Sequence, residues 1–200
     1  RNGSRKWVPR EKMLKGPAGA DKAHTISTLY SSKRQWHTMH AQRFAFIQRM
    51  RELLPEMDVF GRGATPMDDK AEALAPYRYH LAVENHIAPH HITEKLTDAF
   101  LGRCLPFYAG APNAVDYFPE GSFIPIDIRD PESAAATIRT AIANDAWSER
   151  LTAINEARRR TLEDHHLFAV VARIIERSES SSRSAAQPGR VILSRHAWRK

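Results

Sequence analysis

Residues able to bind ligands crowd one short segment of the sequence, ENHIAPHHITEK, residues 84–95. Its carboxylates and its amide could bind ribose or sugar hydroxyls, and its lysine could bind a phosphate. Its imidazoles could in principle bind zinc. The apolar run Tyr77–Val83 comes before the segment, and an apolar helical pattern follows it. The segment therefore reads as the polar end of a strand and the loop that leads into a helix.

The elements around this segment predict an α/β fold. Apolar and β-branched runs predict strands over residues 25–30, 57–63, 77–85, 104–110 and 122–128. Helical spacing and capping residues predict helices over residues 40–54 and 93–102, a third that opens at Asp130-Pro131, and a last one through the stripe of residues 167–175. We expect this last stripe to pack on the body of the domain. The alternation predicts a Rossmann-like parallel sheet with helices on both faces.

In such a sheet, ligands bind where strands end and helices begin. Lys95 falls in the first turn of the predicted helix, where a cation is unfavourable unless an anion lies nearby. This conflict hints at a bound phosphate, and Glu94 beside it could accept hydroxyls. The alternative is that Glu94 complements the helix dipole and Lys95 is solvated, which is the better interpretation of a Thr-Glu-Lys run taken alone.

The histidines could instead indicate a metal site. His80, His86, His90 and His91 fall within twelve residues, but the one pair at i, i+4 spacing, His86 and His90, falls in the predicted loop and not on a helix, and a zinc site needs three or four convergent ligands. We therefore predict no metal. His40 and Arg43 lie one helical turn apart, and the sequence leaves open whether both face a ligand or cap a solvated helix. Trp36, Trp147 and Phe100 are expected to pack rather than to bind.

Composition limits the function classes. Residues 1–50 carry eleven Lys or Arg and two Asp or Glu, residues 51–150 carry nine and sixteen, and residues 151–200 carry ten and five. A nucleic-acid module usually carries its basic residues on one element with interleaved aromatic residues. Here the basic excess at the C-terminal end lies largely in a Ser/Arg-rich tail, so this pattern does not favour a nucleic-acid module. A single cysteine excludes a disulfide scaffold. The sequence contains no run of ~18 apolar residues, the length that a membrane-spanning helix needs.

The domain organisation follows from these patterns. We predict a basic lead-in or linker over residues 1–24, one ligand-binding domain over residues 25–178, and a solvated tail over residues 179–200. The chain begins with Arg1 and lacks an apolar leader, which suggests a fragment or a processed protein. We expect a cytoplasmic location and leave peripheral membrane association open.

Two long stretches of the sequence resemble a known family. LAPYRYHLAVENHIAPHHITEKLTDAFLGRCLPFYAGAPNAVDYFPEGSFIPI keeps, in order, an aromatic Tyr-Arg-Tyr, a strand ending Glu-Asn, a Thr-Glu-Lys helix start, Pro-x-x-x-Gly and a Ser-Phe-Ile strand. Upstream, STLYSSKRQWHTMHAQRFAFIQRMRELLPEMDVFGRG has a serine-ended strand, an arginine-bearing helix and a Gly-Arg-Gly turn. Together they resemble the donor-binding domain of family 10 glycosyltransferases, the α-1,3/4-fucosyltransferases, over roughly residues 25 to 175.

The resemblance implies the C-terminal half of a GT-B fold that binds GDP-fucose or a related nucleotide sugar, with inverting, metal-independent transfer to a glycan hydroxyl and no cofactor. By position, Arg43 and Lys95 would hold the diphosphate. Asn85 and Glu94 would contact the ribose or the sugar, and Glu84 would shape the pocket. The chain has no Asp-x-Asp metal motif, only adjacent Asp68 and Asp69.

Two departures from the family pattern matter for function. His91 stands where the family has a tyrosine, so recognition of the base or the sugar there is open. The family's acceptor domain, which carries the expected general base, has no counterpart before residue 25. The catalytic base is therefore unknown, a separate acceptor domain is the expected partner, and the isolated chain is expected to be inactive. The rival hypothesis is a non-catalytic basic module that binds nucleic acid or a protein partner on a Rossmann-like fold.

Overall fold

The computed structural model describes residue 13, residues 22–31 and residues 39–182. The chain divides into two compact units, residues 1–163 and residues 164–200. The strands of the first unit are β1 (His24–Ser31), β2 (Asp58–Arg62), β3 (Tyr77–Val83), β4 (Leu105–Ala109) and β5 (Ile124–Pro125). Its helices are α1 (His40–Leu53), α2 (Glu94–Leu101), α3 (Pro131–Ala143), α4 (Ala146–Glu149) and α5 (Leu151–Glu163), with 3-10 turns at Lys70–Ala73 and Ala114–Asp116.

The five strands form one parallel sheet in the order β2-β1-β3-β4-β5. β1 and β3 are neighbours in the sheet although β2 lies between them in sequence, so the strand order reverses at their boundary. Connections on either side of that boundary run to opposite faces of the sheet, which leaves a crevice at the carboxyl ends of β1 and β3. The prediction of a Rossmann-like parallel sheet with flanking helices is therefore confirmed.

Alternate residues of the central strands point to opposite faces of the sheet, and each face carries its own core. On one face, Leu81 and Phe107 join side chains of α1, α3 and α4, and Trp147 is buried there. On the other face, Ala82 and Tyr108 pack with Leu96 and Phe100 of α2 and with part of α5. Burial on both faces explains why β4 reads as a continuous apolar run and why every residue of β3 except Arg78 is buried.

Local signals placed most helix starts correctly. The side chain of Thr93 accepts a hydrogen bond from the backbone N–H of Lys95, and the side chain of Asp130 accepts one from Ser133. Pro131 occupies the first turn of α3, where no backbone donor is needed. The predicted strand over residues 122–128 is shorter than expected: β5 has only two residues, and the second, Pro125, has no N–H to donate to a ladder.

A buried lysine joins the start of β1 to the start of β3. The Lys22 ammonium donates to the carbonyl oxygens of Tyr77 at 2.6 Å, Gly102 at 2.5 Å and Ala75 at 3.1 Å. Burial lowers its pKa. Beside it lies Cys104, which is fully buried. Its Sγ donates to backbone carbonyl oxygens of the same turn.

The second unit contributes one described helix, α6 (Leu167–Ser182). Five of its large apolar residues are exposed, from 42% for Val171 to 79% for Phe168, whereas Val170 is half-buried. The prediction that this stripe packs on the body concerns both units and stays a prediction. The pattern is amphipathic, but an amphipathic pattern does not specify what covers the apolar face. α6 also continues past the predicted boundary at residue 178. The lead-in before residue 22, apart from residue 13, and the tail after residue 182 lie outside the described residues. No helix in the described ranges has the length and apolar character needed to cross a bilayer.

Candidate functional site

An open cavity of about 380 Å³ lies at the boundary between β1 and β3, where the strand order reverses. Both strands supply its floor, and α1 and α2 supply its walls through their first turns. The wall contains four of the six residues predicted as ligand contacts. The lining residues are Leu29, Tyr30, Arg43, Met67, Lys70, His80, Leu81, Ala82, Val83, Asn85, Glu94, Lys95 and Asp98.

Arg43 brings a buried positive charge to this cavity. Its backbone N–H donates to the carbonyl oxygen of Met39 at the start of α1, and the residue is only 7% exposed. Its guanidinium donates to Oδ1 of Asn85, a neutral acceptor. Burial lowers the pKa of Arg43, and the nearby charge of Glu84 only partly opposes this. Among the described residues no carboxylate lies within 4 Å of the guanidinium, so the site presents a desolvated cation that a bound anion would stabilise.

Glu84 lies beneath the cavity and does not line it. Its carboxylate is fully buried and accepts hydrogen bonds from the backbone N–H of Thr93 at 3.0 Å and from its hydroxyl at 2.7 Å. The Lys95 ammonium lies 3.2 Å from the same carboxylate. Glu84 therefore contacts the first turn of α2 from below.

The position of Lys95 corrects the argument from the helix dipole. The anion that offsets this cation in the first turn of α2 is Glu84, 3.2 Å away, and Glu94 lies 3.6 Å away. The backbone N–H groups of Thr93 and Lys95 are also already bonded, to Glu84 and to the Thr93 hydroxyl. The dipole conflict thus needs no phosphate. What remains is that Lys95, whose side chain is 22% exposed, lines the cavity together with Arg43.

Asn85 and Glu94 supply the polar groups of the cavity wall. Asn85 is fixed by the guanidinium of Arg43, whereas the Glu94 side chain is 57% exposed. Burial acts to raise the pKa of Glu94, but the Lys95 charge, a backbone hydrogen bond and Lys70 outweigh it and lower that pKa. Glu94 is therefore an ionised acceptor at the rim.

The histidines have separate environments. His91 is half-buried, its backbone N–H donates to Ala88 at 3.2 Å, and its ring meets that of His86 edge to face at 5.4 Å. Within residues 22–31 and 39–182 the cavity wall does not include His91, and no three potential metal ligands converge. His80 is buried on β3. The side chain of His40 is outside the described residues, so its pairing with Arg43 stays a prediction.

Sequence reasoning missed several residues of the wall. Lys70, on the 3-10 turn before β3, lies 2.7 Å from Asp98 in the second turn of α2, and both line the cavity. Tyr30 lies near the carboxyl end of β1, and Met67 lies in the connection after β2; both line the cavity. These residues are far apart in sequence, and no local pattern marks them. Only the strand order brings them together.

Residues 20–150, more than half of the chain, match the sequence profile of the glycosyltransferase family 10 (fucosyltransferase) C-term. The chain belongs to this family. The matched range contains the whole cavity and all six predicted contact residues, so the family region and the site described above coincide.

Curated relatives share the central region of the chain. It is 33% identical over 88 residues to GDP-fucose protein O-fucosyltransferase 3 of Gallus gallus, covering 42% of this chain and 18% of that protein. It is 36% identical over 87 residues to a 3-galactosyl-N-acetylglucosaminide 4-alpha-L-fucosyltransferase of Bos taurus, covering 40% of this chain and 24% of that protein. The chain thus spans about a quarter or less of the length of the curated relatives it matches.

A solved structure supports the fold. The crystal structure of an alpha1,3-fucosyltransferase with GDP-fucose matches with a TM-score of 0.53 at 22% identity, over 70% of this chain and 39% of that one. At this identity the likeness shows the fold alone. The sheet and its flanking helices therefore correspond to one part of a larger family 10 fold.

Proposed function

We propose that this chain is the donor-binding domain of a fucosyltransferase and that its cavity holds GDP-fucose or a related nucleotide sugar. The observation that carries the proposal is the buried guanidinium of Arg43, which faces the cavity beside the Lys95 ammonium and has a neutral partner. Membership of family 10 supports it, as does the position of the cavity where the strand order reverses.

The proposed chemistry explains why two fixed cations are useful. When the sugar leaves, negative charge grows on the diphosphate, and preorganised donors in a desolvated site stabilise that charge. Arg43 can donate through a planar fork, and Lys95 can donate as a mobile point charge. Inverting transfer by this route needs no metal ion or cofactor from the chain.

The remaining contacts are assigned by chemistry. Asn85 and the ionised Glu94 offer acceptors for ribose or sugar hydroxyls at the rim. His91, which stands at the family's tyrosine position, would act from outside the described wall. Glu84 has no exposed atom to offer a ligand.

The acceptor side is also proposed rather than observed. The acceptor is a glycan hydroxyl, and the base that removes its proton comes from a separate acceptor domain, because the chain covers so little of its relatives' length. The family comparison gives no support to a nucleic-acid function. The cytoplasmic location remains part of this proposal.

The assignment of Arg43 and Lys95 is tested by calorimetric titration with GDP. Arg43→Ala and Lys95→Ala should each weaken binding by roughly 1.5–3 kcal/mol, the range measured for hydrogen bonds to charged groups. Arg49→Ala is the matched control, since Arg49 lies on the same helix but is exposed and pairs with Glu52 and Glu132. Its affinity for GDP should equal that of the wild type.

Titrations with nucleic acid and with GDP, repeated at several salt concentrations, distinguish the rival nucleic-acid hypothesis from the proposed function. Binding of a nucleic-acid backbone by the basic ends should weaken steeply between about 50 and 200 mM salt. A partly buried diphosphate should respond far less. Equal GDP affinity in the wild type and in both alanine variants would contradict the diphosphate assignment.

A further inference from the structure

Three segments that are separate in the sequence meet around the Glu84 carboxylate. The first is Glu84 itself, at the end of β3, and the second is the Thr93 to Lys95 turn that opens α2. The third is the Pro106 to Gly110 segment, which covers most of β4 and the residue after it and contributes Tyr108. The Tyr108 hydroxyl lies near the Glu84 side chain, because a Cβ at Gly110 would meet both, and it accepts a hydrogen bond from the Ala111 N–H at 3.1 Å. Burial raises the pKa of Tyr108.

Gly110 is the residue that allows this approach. A Cβ built at Gly110 would lie 2.1 Å from the Tyr108 hydroxyl and 2.7 Å from Cγ of Glu84. Both distances are shorter than a Cβ normally approaches any other heavy atom, so the neighbouring side chains would have to move. Every other residue type at this position would therefore push the carboxylate or the phenol out of place. The backbone also joins these two strand ends, since the Glu84 N–H donates to the carbonyl oxygen of Ala109 at 2.8 Å.

We infer that Glu84 is a positioning residue, which holds the Lys95 ammonium toward the cavity while Tyr108 and Gly110 hold Glu84. Glu84 does not touch the ligand: its carboxylate is fully buried, and its contacts all lie on the protein side of Lys95. A long lysine side chain loses considerable rotamer freedom when it binds an anion. A carboxylate 3.2 Å away and the Thr93 hydroxyl at 3.2 Å remove that freedom in advance.

This inference rests on the proposed function, and it opposes a simple electrostatic expectation. If Glu84 acted only as a negative charge near an anion site, its neutralisation would tighten GDP binding. If it positions Lys95, its neutralisation should weaken binding. Glu84→Gln removes the negative charge and leaves one acceptor oxygen in place of two, so the ion pair that supports the Lys95 ammonium is lost.

A double-mutant cycle tests the inference, with GDP affinity measured by calorimetry and folding measured separately by thermal unfolding. Glu84→Gln should weaken GDP binding about tenfold in the wild-type background, which corresponds to about 1.4 kcal/mol. In the Lys95→Met background the same change should alter affinity by no more than about twofold, because the side chain through which it acts is gone. A general structural defect would weaken binding equally in both backgrounds.

Gly110→Ala provides a second variant that changes no charge. It should displace Glu84 and reproduce the weaker binding in the wild-type background, with little further effect when Lys95 is methionine. Unchanged or tighter binding in both Glu84→Gln and Gly110→Ala, or an equal loss in both backgrounds, would overturn the positioning role. Failure of the wild type itself to bind GDP would instead overturn the proposed function.

Discussion

His80 is a buried histidine that the folded protein keeps uncharged. The Ser27 hydroxyl donates to the carbonyl oxygen of Ala73, so its oxygen accepts from Nδ1–H of His80 at 2.9 Å. Burial lowers the pKa of His80 to about 3, and the charges of Lys22 and Lys70 act in the same direction. The unfolded chain has no such environment, and its histidine titrates near 6.5.

This difference predicts a pH-dependent stability. Between about pH 6.5 and pH 3 the unfolded state binds more protons than the folded state, so the free energy of unfolding falls as the pH drops through that window. From pH 7 to pH 5 the His80 contribution should be about 1–2 kcal/mol. Urea unfolding of His80→Gln over this range should show a correspondingly flatter dependence on pH.

His24→Gln is the control for that measurement, because His24 lies on the neighbouring strand with an exposed side chain. It should keep the wild-type slope. If His80→Gln also kept the wild-type slope, the neutral buried imidazole would not be the source of the acid sensitivity.

At the scale of elements, the first turn of α2 depends on one hydroxyl. The Thr93 side chain caps the helix through the Lys95 N–H, and it donates to the buried Glu84 carboxylate at 2.7 Å. Its loss would remove a helix cap and a hydrogen bond to a buried charge at once.

We therefore expect Thr93→Val, which keeps the shape of the side chain, to lower the free energy of unfolding by about 2–3 kcal/mol. Thr93→Ser retains the hydroxyl and should cost less than about 1 kcal/mol. Chemical denaturation of both variants makes the comparison. Equal losses would show that the methyl group, and not the hydroxyl, stabilises this turn.

The sequence predicted those elements whose signals are local. Thr93 and Asp130 cap the helices they were expected to cap, and Pro131 follows in the first turn, because capping depends on residues within one turn of each other. The apolar stripe of α6 correctly predicted a helix, but such a pattern does not specify what covers the apolar face, so its packing on the body stays a prediction. β5 was overestimated because Pro125 interrupts the ladder of an otherwise apolar run.

At the scale of the whole molecule, the sheet order determines which distant residues share the cavity. Arg43, Asn85, Glu94 and Lys95 were predicted from the sequence through the family resemblance, and the structure places them in one wall. The partners Lys70 and Asp98 could not be predicted, since they are 28 positions apart and meet only in the folded chain. The burial of Glu84 was also not readable, because a carboxylate in a polar segment looks exposed until its donors are known.

The coverage of the relatives leads to a prediction for the 200-residue chain. It should bind GDP yet fail to transfer fucose from GDP-fucose to glycans that contain N-acetylglucosamine. Transfer needs an oriented acceptor hydroxyl and a general base, each of which contributes orders of magnitude in rate. The measurement is GDP release above the buffer rate, with product detection by mass spectrometry.

Robust acceptor-dependent turnover would contradict that expectation and would require a base within these residues. The Arg43→Ala variant serves as the negative control for donor binding in the same assay. Turnover that survives this substitution would point to a contaminating enzyme.

The only cysteine in the chain is Cys104, and its thiol is buried, so the folded protein has little reactivity toward thiol reagents. Burial raises the pKa of Cys104 to about 11, so at neutral pH it holds almost no thiolate, the form that reacts with maleimides and disulfide reagents. A fluorophore or spin label could thus be attached to a newly introduced surface cysteine while the native residue stays in place. Slow modification of Cys104 itself would then time the opening of the turn around Lys22.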